Sequence, residues 1–198
     1  IYFSIITILY NLCLILINPF VQVYTKGITD INYSRPVFGF LIVLAEFIDC
    51  IRLPYGTLIY SAGKFKETSK GAWVEAGTNI LLSLILVTKF GIVGVAIGTL
   101  VAMTVRTIEF IVFTSKNILK RSLKESIKRI AIISIQIVIM FAIKIVWIDR
   151  IIVATYASWI LLAIITGIVT ATIVTLMNVI IYHEDFKEGM NILKKCKR

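Results

Sequence analysis

The sequence predicts an all-α membrane protein built as a bundle of six transmembrane helices, and three observations carry that prediction. Of its 198 residues, 59% are hydrophobic and only 16% are charged, far from the mixture found in water-soluble domains. Uncharged or nearly uncharged stretches recur at about 20 residues, the length that crosses ~30 Å of hydrocarbon at 1.5 Å per residue. Most charges fall in the short segments between those stretches.

The first expected span, 1–25, carries no charge and runs into the turn-rich segment Lys26 to Pro36. The second, 37–62, is apolar at both ends but interrupted by Glu46, Asp49 and Arg52. Pro54 predicts a kink there, because proline removes a helical hydrogen bond. A polar loop from Gly63 to Gly71 precedes the third span, 72–88, and the brief Lys89-Phe90-Gly91 turn leaves room only for a tight antiparallel hairpin into the fourth, 92–115. Residues 116–129 hold six basic side chains, with Ile118, Leu119, Leu123 and Ile127 at helical spacing, and predict an amphipathic helix on the membrane surface. The fifth span is 130–147. After Asp149 and Arg150 the run 151–182 is free of charge; it is too long for one perpendicular pass and too short for two, so it reads as a sixth span, tilted or projecting. These elements make one six-helix lobe over 1–182, and 183–198 is a basic tail.

Orientation follows from the basic residues. Lys64, Lys66, Lys70, the six in 116–129, and Lys187, Lys194, Lys195, Lys197 and Arg198 belong to one side, against Lys26, Arg35, Lys89 and Arg150 on the other. The positive-inside rule puts the larger set in the cytoplasm, with the C-terminal tail, where anionic membrane lipids would hold it. The net charge of +10 is thereby accounted for without nucleic acid. Ile1 opens within an apolar run lacking a basic region or a cleavage pattern, so the expectation is no signal peptide and a chain cut from something longer.

Enzyme chemistry finds little to use. Cys13, Cys50 and Cys196 lack metal or redox spacing, His183 is the only histidine, and no zinc, nucleophile or phosphate-loop motif is present. No cofactor is expected. Gly91, Gly94 and Gly98 suit close packing of small residues between helices better than a nucleotide loop, since no strand precedes them.

Seven ionisable residues fall inside the expected spans: Glu46, Asp49, Arg52, Glu75, Arg106, Glu109 and Lys144. Exposing all of them to lipid would cost on the order of 20 kcal/mol, at about 2.5–3.5 kcal/mol each near a helix centre, so most must face protein or water. Glu46, Asp49 and Arg52 recur every three residues toward one side of their helix, Arg106 and Glu109 are neighbours on theirs, and Glu75, Asn79 and Ser83 form a polar stripe at four-residue spacing. With Thr7, Asn11 and Asn18, four helices each carry a polar stripe, which suggests a shared hydrated interior to which spans five and six add little. Two readings stay open. Asp49 with Arg52, and Arg106 with Glu109, can pair within their own helices and hold the bundle, while Glu75 and Lys144 can snorkel to the interface. Alternatively Glu46 and Asp49, two carboxylates beside one arginine, are what coupling to a proton or cation needs.

Several segments together resemble a known family. Asn18-Pro-Phe20, Tyr24 to Asp30 with Tyr33, Ile51-Arg-Leu-Pro-Tyr55, Ala62 to Thr68, Glu75-Ala76 with Asn79, and Phe90 to Thr99 are similar, in order, to bacterial polysaccharide-biosynthesis flippases (Wzx-like) of the multidrug/oligosaccharidyl-lipid/polysaccharide, or MATE-like, exporter superfamily. The likeness covers about 18–121. It implies the C-terminal lobe of a two-lobed, multi-pass protein of the bacterial cytoplasmic membrane that flips an undecaprenyl-diphosphate-linked oligosaccharide by alternating access. Its partners would be the lipid-linked substrate, the missing N-terminal lobe, and the polymerase and glycosyltransferases of surface-polysaccharide synthesis. On that likeness Arg52, then Arg106, would contact the diphosphate, Asn79 would join them in binding substrate, and Glu46, Asp49, Glu75 and Glu109 would tune the cavity charge or carry a coupling proton. A cation-coupled drug or small-solute exporter of the same superfamily, and a non-transporting anchor subunit of a glycan-synthesis complex, are the alternatives.

Overall fold

The computed structural model describes residues 2–151 and 153–183; the expected basic tail beyond His183, with Cys196, lies outside the described residues. Among these, all regular structure is helical: α1 (Tyr2–Tyr24), α2 (Pro36–Ser61), α3 (Phe65–Phe90), α4 (Ile92–Phe113), α5 (Lys124–Val146) and α6 (Tyr156–Ile181). Five helical stretches are long and apolar enough to cross a membrane, namely α1, α3, α4 with the turn that extends it to Ile118, α5 and α6. The chain is thus a helical, multi-pass membrane protein. The exception, α2, is 26 residues long, but every 18-residue window on it contains Glu46, Asp49 and Arg52.

Helix ends depart from the expected spans for local reasons. α3 starts at Phe65 rather than near 72, because its first turns carry Lys66, Glu67 and Lys70, which hydropathy reads as loop although they are sound helix formers. The charge-free run from Ile151 is not one helix. The Thr155 hydroxyl accepts from the Ser158 N–H at 3.3 Å while the Ser158 hydroxyl accepts from the Thr155 N–H at 3.1 Å, a reciprocal cap that starts α6 at Tyr156. Nor is 116–129 a single surface helix. A π-helical turn, Thr114–Ile118, closes α4, Lys120 adopts φ 48°, and the Lys124 N–H donates to the Ser122 hydroxyl at 3.3 Å where α5 begins. The segment is broken by that left-handed residue, and its second half, including Lys128 and Arg129, becomes the first turns of α5. Pro54 lies inside α2, which continues through it.

The helices group into two compact units, one drawn from residues up to Ile28 and from Ile133 onward, the other Thr29–Ile132. In the second unit α4 packs against both α2 and α3. α3 and α4 are joined by Gly91 alone, at φ 58°, a conformation that costs a side chain with a Cβ. Three four-residue stripes meet there. α2 buries Phe47, Ile51, Tyr55 and Ile59, and α4 buries Gly98, Ala102, Arg106 and Phe110. α3 presents Gly71, Glu75, Asn79 and Ser83. The α3–α4 contacts run antiparallel: Gly94 lies against the Leu86 carbonyl, Gly98 against Ser83 and Gly71 against Arg106 and Glu109.

In the first unit α1 and α6 pack antiparallel, as shown by the Trp159 indole N–H donating to the Leu16 carbonyl at 3.3 Å and Asn178 Nδ2 donating to the Ser4 hydroxyl at 3.1 Å. Ile15, Leu16, Met140, Ile148 and Leu162 form its buried apolar cluster.

Candidate functional site

Five of the seven ionisable residues that the sequence places in spans come together in the unit of α2, α3 and α4. Arg52 of α2 pairs with Asp49 one turn earlier and, at 2.9 Å, with Glu75 of α3. Arg106 of α4 pairs with Glu109 at 2.6 Å and lies 3.7 Å from the other oxygen of Glu75. Glu75 is therefore the bridge between two guanidiniums on two different helices. The four-residue stripe on α3 turns Glu75 toward α4.

The two arginines differ in what surrounds them. Arg106 is 6% exposed and also donates to the Thr68 carbonyl at 2.7 Å, with its guanidinium carbon 4.4 Å from the Phe110 ring centroid. A planar cation with fixed donors, stacked on an aromatic face, hydrogen-bonded to two acceptors and beside a second carboxylate, is a well-compensated buried charge. Arg52 is less enclosed, with a side chain 19% exposed and its guanidinium carbon 5.7 Å from the same ring. It holds carboxylates alone.

The site is not an unoccupied cationic patch. Asp49, Glu75 and Glu109 outnumber Arg52 and Arg106, so with all groups ionised the cluster carries one negative charge in excess. An anion reaching Arg52 competes with Asp49 and Glu75 for its donors, and a carboxylate it displaces needs a proton or another cation. Removing either guanidinium strands at least one partly buried carboxylate.

The remaining expected residues lie apart from this cluster. Asn79 sits one turn beyond Glu75, where its amide oxygen accepts from Ser83 Oγ at 3.1 Å and Thr99 Oγ1 at 3.4 Å, tying α3 to α4. Glu46 is exposed on α2 and makes no ion pair among the described residues. Lys144 lies 5.8 Å from the Phe141 ring on its own helix. Among the described residues no group of three His, Cys, Asp or Glu side chains is placed to hold a metal ion.

Sequence reasoning missed three contributors: Thr68, Gly71 and Phe110. Gly71 had a readable signal, since it continues the Glu75, Asn79 and Ser83 stripe one turn earlier. A Cβ on it would fall on the Arg106 and Glu109 side chains. Thr68 acts through its backbone carbonyl, which no sequence pattern marks. Compared with known proteins, the chain matches no family model, no curated protein and no solved structure.

Proposed function

We propose that this chain is a six-span lobe of a transporter in the cytoplasmic membrane, tail inward, which works with a second lobe to flip a lipid-linked oligosaccharide by alternating access. It is not itself an enzyme and needs no cofactor on this reading. The observation that carries the transport reading is the charged cluster, five ionisable side chains from three helices interlinked within an apolar chain. Such groups are costly in a membrane and mark substrate or ion pathways. The lipid-linked glycan comes from the family resemblance, in which Arg52 belongs to the matching Ile51-Arg-Leu-Pro-Tyr55 segment.

The two arginines then have separate tasks. Arg52, the more accessible, exchanges Asp49 and Glu75 for the diphosphate of the substrate. Arg106 stays with Thr68, Glu109 and Phe110 and positions Glu75 for that exchange. The released carboxylates take up a proton or cation, which links substrate movement to an ion gradient. A second reading, the cation-coupled exporter, is favoured by the excess carboxylate, which suits a cationic solute as well as a coupling ion.

The test uses the full-length protein in bacteria lacking their own flippase. Arg52→Ala is expected to abolish surface-polysaccharide export while the protein still inserts at normal abundance. Normal export in that variant would sink the diphosphate assignment. Efflux of cationic dyes that depends on a proton gradient and is lost in Glu75→Gln would then favour the exporter.

A further inference from the structure

Away from the charged cluster, one end of the Thr29–Ile132 unit brings four helix ends together. Thr114 Oγ1, at the close of α4, donates to the Tyr55 carbonyl of α2 at 3.4 Å, and the Tyr55 hydroxyl donates to Ser126 Oγ, in the first turn of α5, at 3.4 Å. Lys64, just before α3, donates to the Asn117 carbonyl at 3.5 Å, across 53 residues of sequence. The link between α2 and α3 therefore lies against the link between α4 and α5. The second link has a fixed shape, because the Leu119 N–H donates to the Thr114 carbonyl at 2.9 Å and the Arg121 N–H to the Ser115 carbonyl at 3.0 Å, around the left-handed Lys120. That pattern satisfies helix-end carbonyls and stops the chain from running on as a surface helix.

Lysines crowd this end. Lys66 and Lys70 on α3, Lys116 and Lys120 after α4, and Lys124 at the start of α5 are exposed, and none of the five makes an ion pair among the described residues. Nearby carboxylates are few: Arg121 engages Glu125 at 3.3 Å, which leaves Glu67 on α3. Both α3 and α5 point their N-terminal ends this way, and no side chain caps the first turn of α3, so the helix dipoles add to the positive potential. Side chains that repel one another and are not neutralised by their own chain attract negative charge from outside. Apolar groups border them on the side that leads into the apolar lengths of the helices. Lys66, Lys70 and Trp73 share one face of α3 at four- and three-residue steps, and Trp73 is 82% exposed. On α5, Ile127, 61% exposed, follows Lys124 by three residues. A cation outward of an exposed indole or aliphatic side chain is the order found at a membrane interface.

We propose that this end of the unit is a docking surface for anionic phospholipid headgroups. Lys66 and Lys70, one turn apart on one face, grip a headgroup phosphate, and Lys116, Lys120 and Lys124 on the adjoining link add to the attraction. A phosphodiester supplies the negative charge and acceptor oxygens that ammonium groups need, and its acyl chains run along Trp73 and Ile127. That pairing of lysine with exposed apolar surface selects a lipid over a soluble acidic partner or a free phosphate, either of which would satisfy the lysines alone. A lysine beside an anionic leaflet strengthens association by up to roughly fivefold. The surface governs which lipids surround the chain, and it is independent of what the chain transports.

The experiment places the full chain in phosphatidylcholine bilayers that contain either brominated phosphatidylglycerol or, at the same fraction, brominated phosphatidylcholine. Quenching at Trp73 is read as the difference between the chain and Trp73→Phe. Phosphatidylglycerol is expected to be favoured there by roughly fivefold. The preference should fall toward one when Lys66→Gln and Lys70→Gln are combined, persist when both are changed to arginine, and shrink in concentrated salt, where screening shortens to about 3 Å at 1 M. Equal quenching by the two brominated lipids in the unaltered chain would overturn the proposal, as would a preference that survives the glutamine pair. Inorganic phosphate that removes the preference where chloride at equal ionic strength does not would show a small-anion site and reject the lipid. Should the glutamine pair fail to insert, Lys116→Gln, Lys120→Gln and Lys124→Gln together take its place, with a partial loss of preference expected and no loss rejecting the proposal.

Discussion

At the scale of single residues, the charged cluster depends on a position with no side chain. Gly71 gives Arg106 and Glu109 the space they occupy, and the Arg106 guanidinium has little freedom to move because Thr68 and Phe110 hold it from other directions. Gly71→Ala is therefore expected to destabilise the chain by about 1–3 kcal/mol, the usual cost of overpacking, and to weaken the Arg106–Glu109 pair. Gly77 supplies the contrast. It lies on the same helix, and a methyl group added there would meet nothing within 4 Å, so Gly77→Ala should raise stability by roughly 0.4–1 kcal/mol through helix propensity and unfolded-state entropy. Thermal midpoints of the two variants in one lipid environment check this, and equal shifts would show that the space beside Gly71 is not a constraint. Glu75 is the other decisive residue. Asp49 and Glu109 each serve an arginine of their own helix, whereas Glu75 alone joins helices, so Glu75→Gln removes ionic bonding between helices while leaving both local pairs in place.

At the scale of elements, the α3–α4 hairpin is held by backbone proximity. At Gly94 the obstacle to a Cβ is the Leu86 carbonyl and the backbone beside it, not the end of a movable side chain. Gly94→Ala must therefore separate the two helices and should lower the thermal midpoint more than Gly71→Ala does; a smaller drop would mean that the hairpin tolerates a wider spacing. How much of this was legible from sequence depends on the range of the interaction. The Asp49–Arg52 and Arg106–Glu109 pairs follow from three-residue spacing on one helix, and the Glu75, Asn79 and Ser83 stripe was visible for the same reason. That Glu75 would meet both arginines was not, because it requires α2 and α3 to lie at the same level against α4. Periodicity does not encode that height. Glu46 shows the opposite error: six residues separate it from Arg52, which is about 120° from it around a helix at 3.6 residues per turn, so a three-residue recurrence drifts off one face. Gln136 of α5 and Asn178 of α6, hydrogen-bonded at 3.3 Å, escaped notice because single amides in long apolar runs raise no signal until their helices are brought together. The start of α6 was missed because a Thr–Ser cap carries no charge to interrupt a hydropathy pattern.

For the whole molecule, the choice between five and six passes turns on α2. By apolarity alone α2 does not qualify, because three charges occupy its middle. Its pairing argues that it crosses. Arg52 lies nine residues before Ser61, Glu75 ten after Phe65 and Arg106 twelve before Ile118, roughly 14–18 Å from those helix ends at 1.5 Å per residue. The three helices are thus aligned at one depth, and the two guanidiniums pair with carboxylates there, which removes much of the penalty that kept α2 off the apolar count. If α2 crosses, the chain between Ser34 and Ser122 passes through the membrane three times, by α2, α3 and α4, and the two serines stand on opposite sides. If α2 does not cross, two passes separate them and they share a side. Single cysteines at Ser34 and at Ser122, in a background without Cys13, Cys50 and Cys196, should label from opposite faces with a membrane-impermeant maleimide, Ser122 from the side with the excess of lysine and arginine. Labelling from one face would return α2 to the membrane surface, and with it Arg52 would lose its place in a transmembrane pathway.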